Sequence, residues 1–187
     1  LEGFEGGDRT RITLPRTQRE LLKALEATGT PVILVCMSGS AMGLVWEDEY
    51  LPAILQAWYP GQEGGNAVAD VIFGTTNPSG KLPVTVYRSV DQLPPFDDYS
   101  MVNRTYRYFE GVPLYPFGYG LSYTDFDISD LTLDKATITP QETVRVSVTV
   151  TNTGDVAGHP VVQLYIGDQE STVCRPIRTL AAFKKVH

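Results

Sequence analysis

The order of apolar and polar positions changes character twice along the chain. In the first stretch, Leu21, Leu22 and Leu25 fall on one helical face behind Thr17-Gln18-Arg19-Glu20, a Thr-x-x-Glu pattern that predicts a capping box after Leu14-Pro15. Gly29 is a stop signal for that helix, because glycine closes a helix in the left-handed region at little steric cost. Val32 to Met37 is apolar on both faces, as a parallel strand covered by helices has to be. Ala53 to Tyr59 repeats the strand signal, and Pro60 to Asn66 reads as a turn. Ala67 to Phe73 predicts a short buried helix, and Gly80 to Tyr87 a further strand. Strands alternating with helices predict an α/β fold, a three-layer α/β sandwich over residues 1–90.

Residues 91–124 are dense in rings, among them Phe96, Tyr99, Tyr106, Phe109, Tyr115, Phe117 and Tyr123. That composition is too aromatic for a disordered linker and predicts an ordered, extended connector. From Asp125 onward the pattern is all-β. Val144, Val146, Val148 and Val150 alternate with Arg145, Ser147 and Thr149, the signature of a half-buried strand. Asn152 to Asp155 is a turn and Val161 to Ile166 the next strand. Residues 125–187 therefore predict an antiparallel β-sandwich, incomplete because a whole one needs ~100 residues.

Composition narrows the function classes. The 187 residues are 42% hydrophobic and 20% charged, enough to build a core. A net charge of −7 without a basic stripe argues against nucleic acid and against an anionic membrane surface. Cys36 and Cys174 stand far apart, which indicates neither a disulfide framework nor a metal cluster. His159 and His187 are the only histidines, so acid–base chemistry falls to carboxylates, and neither metal nor cofactor is expected. Ser38 and Ser40 follow an apolar strand, yet Gly-x-Ser-x-Gly is not satisfied. The Gly-rich turn at Pro60 to Ala67 lacks the phosphate-binding patterns, and Glu63 would repel an anion. Trp58 is expected in the core, and Tyr106 to Phe109 in connector packing. The start at Leu1 without Met and the end at His187 suggest a segment of a longer protein.

Four stretches are specific together. They are Glu5-Gly6-Gly7-Asp8-Arg9-Thr10 with Leu14-Pro15 and Gln18; Trp58 to Ala67; Asn77-Pro78-Ser79-Gly80-Lys81-Leu82-Pro83-Val84-Thr85; and Arg104 to Phe109 followed by Tyr115-Pro116-Phe117-Gly118-Tyr119-Gly120-Leu121-Ser122-Tyr123. In this order they resemble glycoside hydrolase family 3, in its β-glucosidase and β-xylosidase branch. The resemblance implies that family's second, α/β sandwich domain followed by a fibronectin type III-like domain. It implies an exo-acting, retaining hydrolase of oligosaccharides or glycosides, β-xylosides first and β-glucosides second. The aspartate nucleophile and most of the sugar site would lie in an N-terminal (β/α)8 barrel, absent from these residues. It also points to the periplasm or the cell exterior.

A retaining glycosidase needs a nucleophile and an acid/base carboxyl about 5–5.5 Å apart. The resemblance assigns the acid/base to a glutamate just upstream of an Asp-Arg pair. Glu5, three residues before Asp8-Arg9, fits the commoner Glu-Gly-x-Asp-Arg form, and Glu2 fits a Leu-Glu-Gly variant. Asp8 and Arg9 would support the loop, as an ion pair or with Arg9 as a fork toward a carboxylate. The plainer alternative is two exposed acids at a terminus, and a non-catalytic interaction module is the competing function.

Overall fold

The computed structural model describes residues 4–5 and 8–187. Proline decides where the first helix starts. Pro15 lies at φ −53° and ψ 145°, and helix α1 (Arg16–Glu26) begins at the next residue. The capping box is not formed. No side chain caps α1, Thr17 already lies inside its first turn, and Glu20 accepts Arg16 Nε at 2.7 Å instead. The ring of Pro15 fixes φ without needing a side-chain cap, so the start falls one residue ahead of the Thr-x-x-Glu pattern. Gly29 closes the helix as expected, at φ 74° with its N–H on Glu26 O at 2.9 Å. Leu22 is half-buried, whereas Leu21 and Leu25 are 59% and 43% exposed, so the apolar stripe of α1 is mostly uncovered.

Strands β1 (Phe4–Glu5) and β2 (Asp8–Arg9) pair antiparallel ahead of α1. Behind it, β3 (Ile33–Cys36) and β4 (Ala53–Gln56) pair in parallel, Ile33 opposite Ala53 through to Cys36 opposite Gln56. Helix α2 (Val45–Tyr50) makes the crossover between them. Cys36, Leu44, Val86 and Leu114 form the buried core, with Leu34, Ile54 and Tyr115 packed against it. Helix α3 (Gly64–Ile72) starts three residues before the expected Ala67, and of its residues only Gly64 is buried. The turn runs straight into the helix through Gly64 N on Gly61 O at 3.0 Å.

The strand expected at Gly80–Tyr87 is replaced by two separate contacts. Leu82 exchanges hydrogen bonds with Tyr119 O and Gly118 N, both 2.8 Å, and Val86 N meets Tyr115 O at 2.9 Å. Pro83 has no N–H to donate, so no continuous ladder forms between the two rungs.

The last third is antiparallel. β5 (Phe126–Leu133) pairs with β6 (Val146–Asn152), and β7 (Val161–Ile166) with β8 (Thr179–Lys185). Val146, Val148 and Val150 are half-buried while Ser147 and Thr149 are exposed, as the alternation predicts. Both pairs slip register once, between Ser129 and Thr132 and between Leu164 and Tyr165. At the first slip Asp130 takes a left-handed φ of 52°.

The aromatic connector ties these parts together. On helix α4 (Thr105–Tyr108), Tyr106 stacks on Phe117 with ring centres 4.1 Å apart, and Tyr165 of β7 meets Tyr106 edge-on at 6.1 Å. Tyr106 OH accepts Leu180 N at 3.1 Å. Asn77 is a second tie: its Nδ2 donates to Ala157 O at 2.9 Å, and its Oδ1 accepts from Ser122 Oγ and Tyr123 N. Replacing Asn77 by Ala removes all three bonds and is expected to cost about 2 kcal/mol of stability in urea unfolding. Asn77→Asp keeps the two acceptor bonds and should lose less. Limited proteolysis within residues 153–160 should accelerate more in the alanine variant than in the aspartate one.

Candidate active site

The carboxyl ends of parallel strands leave a sheet on one edge, where α/β proteins place their ligands. Here β3 continues into Met37–Gly43 and β4 into Ala57–Glu63, so both loops emerge together. Gln56 Nε2 at the end of β4 donates to Ser38 Oγ at 3.3 Å, and Ser38 Oγ donates to Ser40 O at 2.9 Å. Ser38 is thus held as a bridge between the strand ends. The two histidines face each other instead, His159 and His187 with ring centres 4.7 Å apart, and Ser38 has no histidine to activate it. Tyr59 lies over Gly39 so closely that a Cβ there would sit 2.6 Å from its ring, yet Tyr59 is itself 79% exposed.

Trp58 is not a buried core residue. It is half-buried, lines an apolar cavity of about 590 Å³ with Ile54, Tyr119 and Leu121, and holds a left-handed φ of 55°. A bulky residue is rarely found there, and such strain clusters near functional sites.

The β1–β2 hairpin docks onto this edge. Its register sets Phe4 opposite Arg9 and Glu5 opposite Asp8. Arg9 supplies the anchor. Its Nη1 donates to Ser40 Oγ, its Nη2 to Met42 Sδ at 3.1 Å and its Nε to Arg11 O at 3.3 Å. Asp8 is placed through its backbone beside this anchor, and Glu2 lies outside the described residues. Arg9, Arg19, Ser38, Ser40, Met42 and Tyr59 line an open cleft of about 660 Å³.

Beneath the cleft lies a pair that sequence reasoning missed. Glu47 of α2 is fully buried, and its Oε1 accepts Arg19 Nε of α1 at 3.3 Å. Its Oε2 has no hydrogen-bond partner. In the sequence Glu47 stands between Trp46 and Asp48 and carries no mark of burial. Next to it, Asp48 Oδ1 accepts Tyr115 OH at 2.5 Å, and burial, with that carboxylate, pushes the Tyr115 hydroxyl well above a tyrosine's ordinary range.

The fold is an α/β module with an open cleft at its strand edge, joined through an aromatic connector to antiparallel β-pairs. The chain belongs to glycoside hydrolase family 3. The profile described as "Glycosyl hydrolase family 3 C-terminal domain" matches residues 2–123, and the one described as "Fibronectin type III-like domain" matches residues 160–187. A xylan 1,4-β-xylosidase of Xylanibacter ruminicola is 52% identical over all of this chain and 21% of its own length. A periplasmic β-glucosidase of Salmonella typhimurium is 47% identical over 97% of this chain and 25% of its own. Among solved structures, a β-glucosidase of Erythrobacter marinus superposes with a TM-score of 0.84 at 42% identity, covering 99% of this chain and 25% of that one. The chain therefore spans about a quarter of the length of the relatives it matches.

Two outcomes test the energetics. Arg19→Met strands a buried carboxylate and should destabilise the protein by about 3–5 kcal/mol in urea unfolding, whereas the double variant with Glu47→Leu should recover most of that loss. Tyr115 stays protonated in the fold at pH values where an unfolded tyrosine ionises, so its contribution is complete below pH ~10 and lost as pH rises further. Alkaline titration of stability should show that decline, and Tyr115→Phe should flatten it.

Proposed function

We propose that this chain is the C-terminal portion of a retaining exo-β-glycosidase and supplies the general acid/base, Glu5, but not the nucleophile. The observation that carries the proposal is the hairpin bearing Glu5, pinned by Arg9 to the strand-edge loop of a family 3 chain. A general acid acts only if its carboxyl group is held in one place, and the Arg9 anchor to Ser40 and Met42 is suited to that task. Desolvation against the rest of the enzyme would keep such a carboxyl protonated long enough to donate. The nucleophile would come from an N-terminal (β/α)8 barrel of the same protein, on the other face of the bound sugar. The substrate is the terminal unit of an oligosaccharide or glycoside, released without metal or cofactor. β-Xylosides stand ahead of β-glucosides, in keeping with the 52% identity to the Xylanibacter xylan 1,4-β-xylosidase. The printed name of the Salmonella relative supports a periplasmic or extracellular location.

In this reading residues 1–90 belong to a three-layer sandwich completed by upstream chain, residues 91–124 to the connector, and residues 125–187 to a fibronectin type III-like sandwich. The 187-residue chain alone should not turn over glycosides, since double displacement needs both carboxyl groups on one sugar.

The decisive experiment uses the full-length enzyme on aryl xylosides and glucosides of differing leaving-group ability. Glu5→Gln should lower kcat/KM by at least about 100-fold on poor leaving groups and much less on activated ones. Glu2→Gln should leave both unchanged. The reverse pattern moves the role to Glu2, and loss from neither variant supports a non-catalytic accessory module.

A further inference from the structure

Three consecutive residues after β3 are each held by a different segment of the chain. Gln56, the last residue of β4, donates to Ser38 Oγ at 3.3 Å. Tyr59 covers Gly39 so closely that no Cβ fits beneath its ring. Arg9, from the hairpin, donates to Ser40 Oγ. A glycine between two serines populates many backbone conformations on its own, so the order of this loop comes from those three contacts.

The Ser38 hydroxyl joins them. A serine hydroxyl has one proton to give and two lone pairs to fill. Its proton goes to Ser40 O at 2.9 Å, and one lone pair takes the proton of Gln56 Nε2. Cys36 Sγ lies 3.6 Å away, and since the Ser38 proton is already given, the Cys36 S–H is the donor of that contact. All three capacities are used, so the hydroxyl is a fixed point rather than a reactive group. Cys36 and Gln56 are also partners in the last rung of the parallel pair. Both residues of that rung therefore set one hydroxyl, and the hydroxyl sets the Ser40 carbonyl.

Ser40 is in turn the residue that receives Arg9 Nη1. We propose that Ser38, held by Cys36 and Gln56, is a positioning residue for the Glu5 carboxyl and acts on it through Ser40 and Arg9. This rests on the reading of Glu5 as general acid/base. Ser38 transfers no proton to substrate; it governs where the hairpin stands when the departing oxygen takes one. Displacing a proton donor costs most where the leaving group depends most on that proton.

The test uses the full-length enzyme with aryl glycosides of good and poor leaving groups. Ser38→Ala should lower kcat/KM about tenfold on phenyl glycosides and less than about twofold on dinitrophenyl ones. The alkaline limb of kcat/KM, which reports the acid of the free enzyme, should move to lower pH, because a carboxyl on a looser hairpin meets more water. Ser38→Thr keeps the hydroxyl and should restore the phenyl glycosides. In a Glu5→Gln background Ser38→Ala should cost nothing further, since both changes act on one proton transfer. Gln56→Leu removes the outer donor and should show the same selective loss, smaller in size; it carries the comparison if Ser38→Ala does not fold by circular dichroism. Equal losses on both leaving groups, an unmoved alkaline limb, or a loss that adds to that of Glu5→Gln would overturn the proposal and make Ser38 a purely structural residue. A selective loss in Glu5→Gln that neither Ser38→Ala nor Gln56→Leu reproduces would overturn it while the acid/base reading stands. Failure of that reading shows separately, as a Glu5→Gln enzyme that keeps its rate on phenyl glycosides.

Discussion

Parallel pairing is the constraint on which the site depends. Two strands that run the same way must both end on one edge, and the chain must cross over between them. Cys36 opposite Gln56 is the last rung, and beyond it the loops from β3 and β4 have nowhere to go but side by side. Their adjacency brings Gln56 to Ser38 and Tyr59 to Gly39. It also provides Ser40 and Met42 as anchors where the hairpin arginine can reach them. The crossover itself carries Glu47, so the element that returns the chain also installs the buried charge that fastens α1 beneath the cleft.

That charge sits in an uneasy balance. A carboxylate removed from water needs all its lone pairs answered, and Glu47 has one oxygen bound to Arg19 and one without a partner. An apolar residue would fill the same space with less penalty. What the ion pair adds is direction: the Arg19 guanidinium is drawn to one point on α2, which fixes the cleft-lining side of α1 relative to the strand edge.

Local patterns were legible where local physics decides. Glycine at the end of α1, the apolar run of β3 and the valine alternation of β6 depend on residues within a few positions of one another, and the structure follows them. The capping box failed because a neighbouring proline had already set the backbone. The strand at 80–87 failed because Pro83 cannot join a ladder, and of α3, expected to be buried, only Gly64 is. The site divides in the same way. Glu5-Gly6-Gly7-Asp8-Arg9 can be read as a motif, but the partners of Arg9 lie 31 and 33 residues further on, and no spacing rule connects them. Burial of Glu47 is likewise a property of the assembled fold. The family resemblance reached the hairpin because whole motifs carry tertiary information that periodicity does not.

The register slip at Asp130 bears on how these chains behave among their own copies. An eight-residue strand with an open side is a template on which another chain can add its backbone. In β5 the ladder breaks between Ser129 and Thr132, where the left-handed Asp130 puts an acidic residue at the fault. A strand arriving from another molecule would find two short runs out of phase, neither long enough to hold it. The defect in the ladder thus leaves an incoming strand no long run in phase along β5.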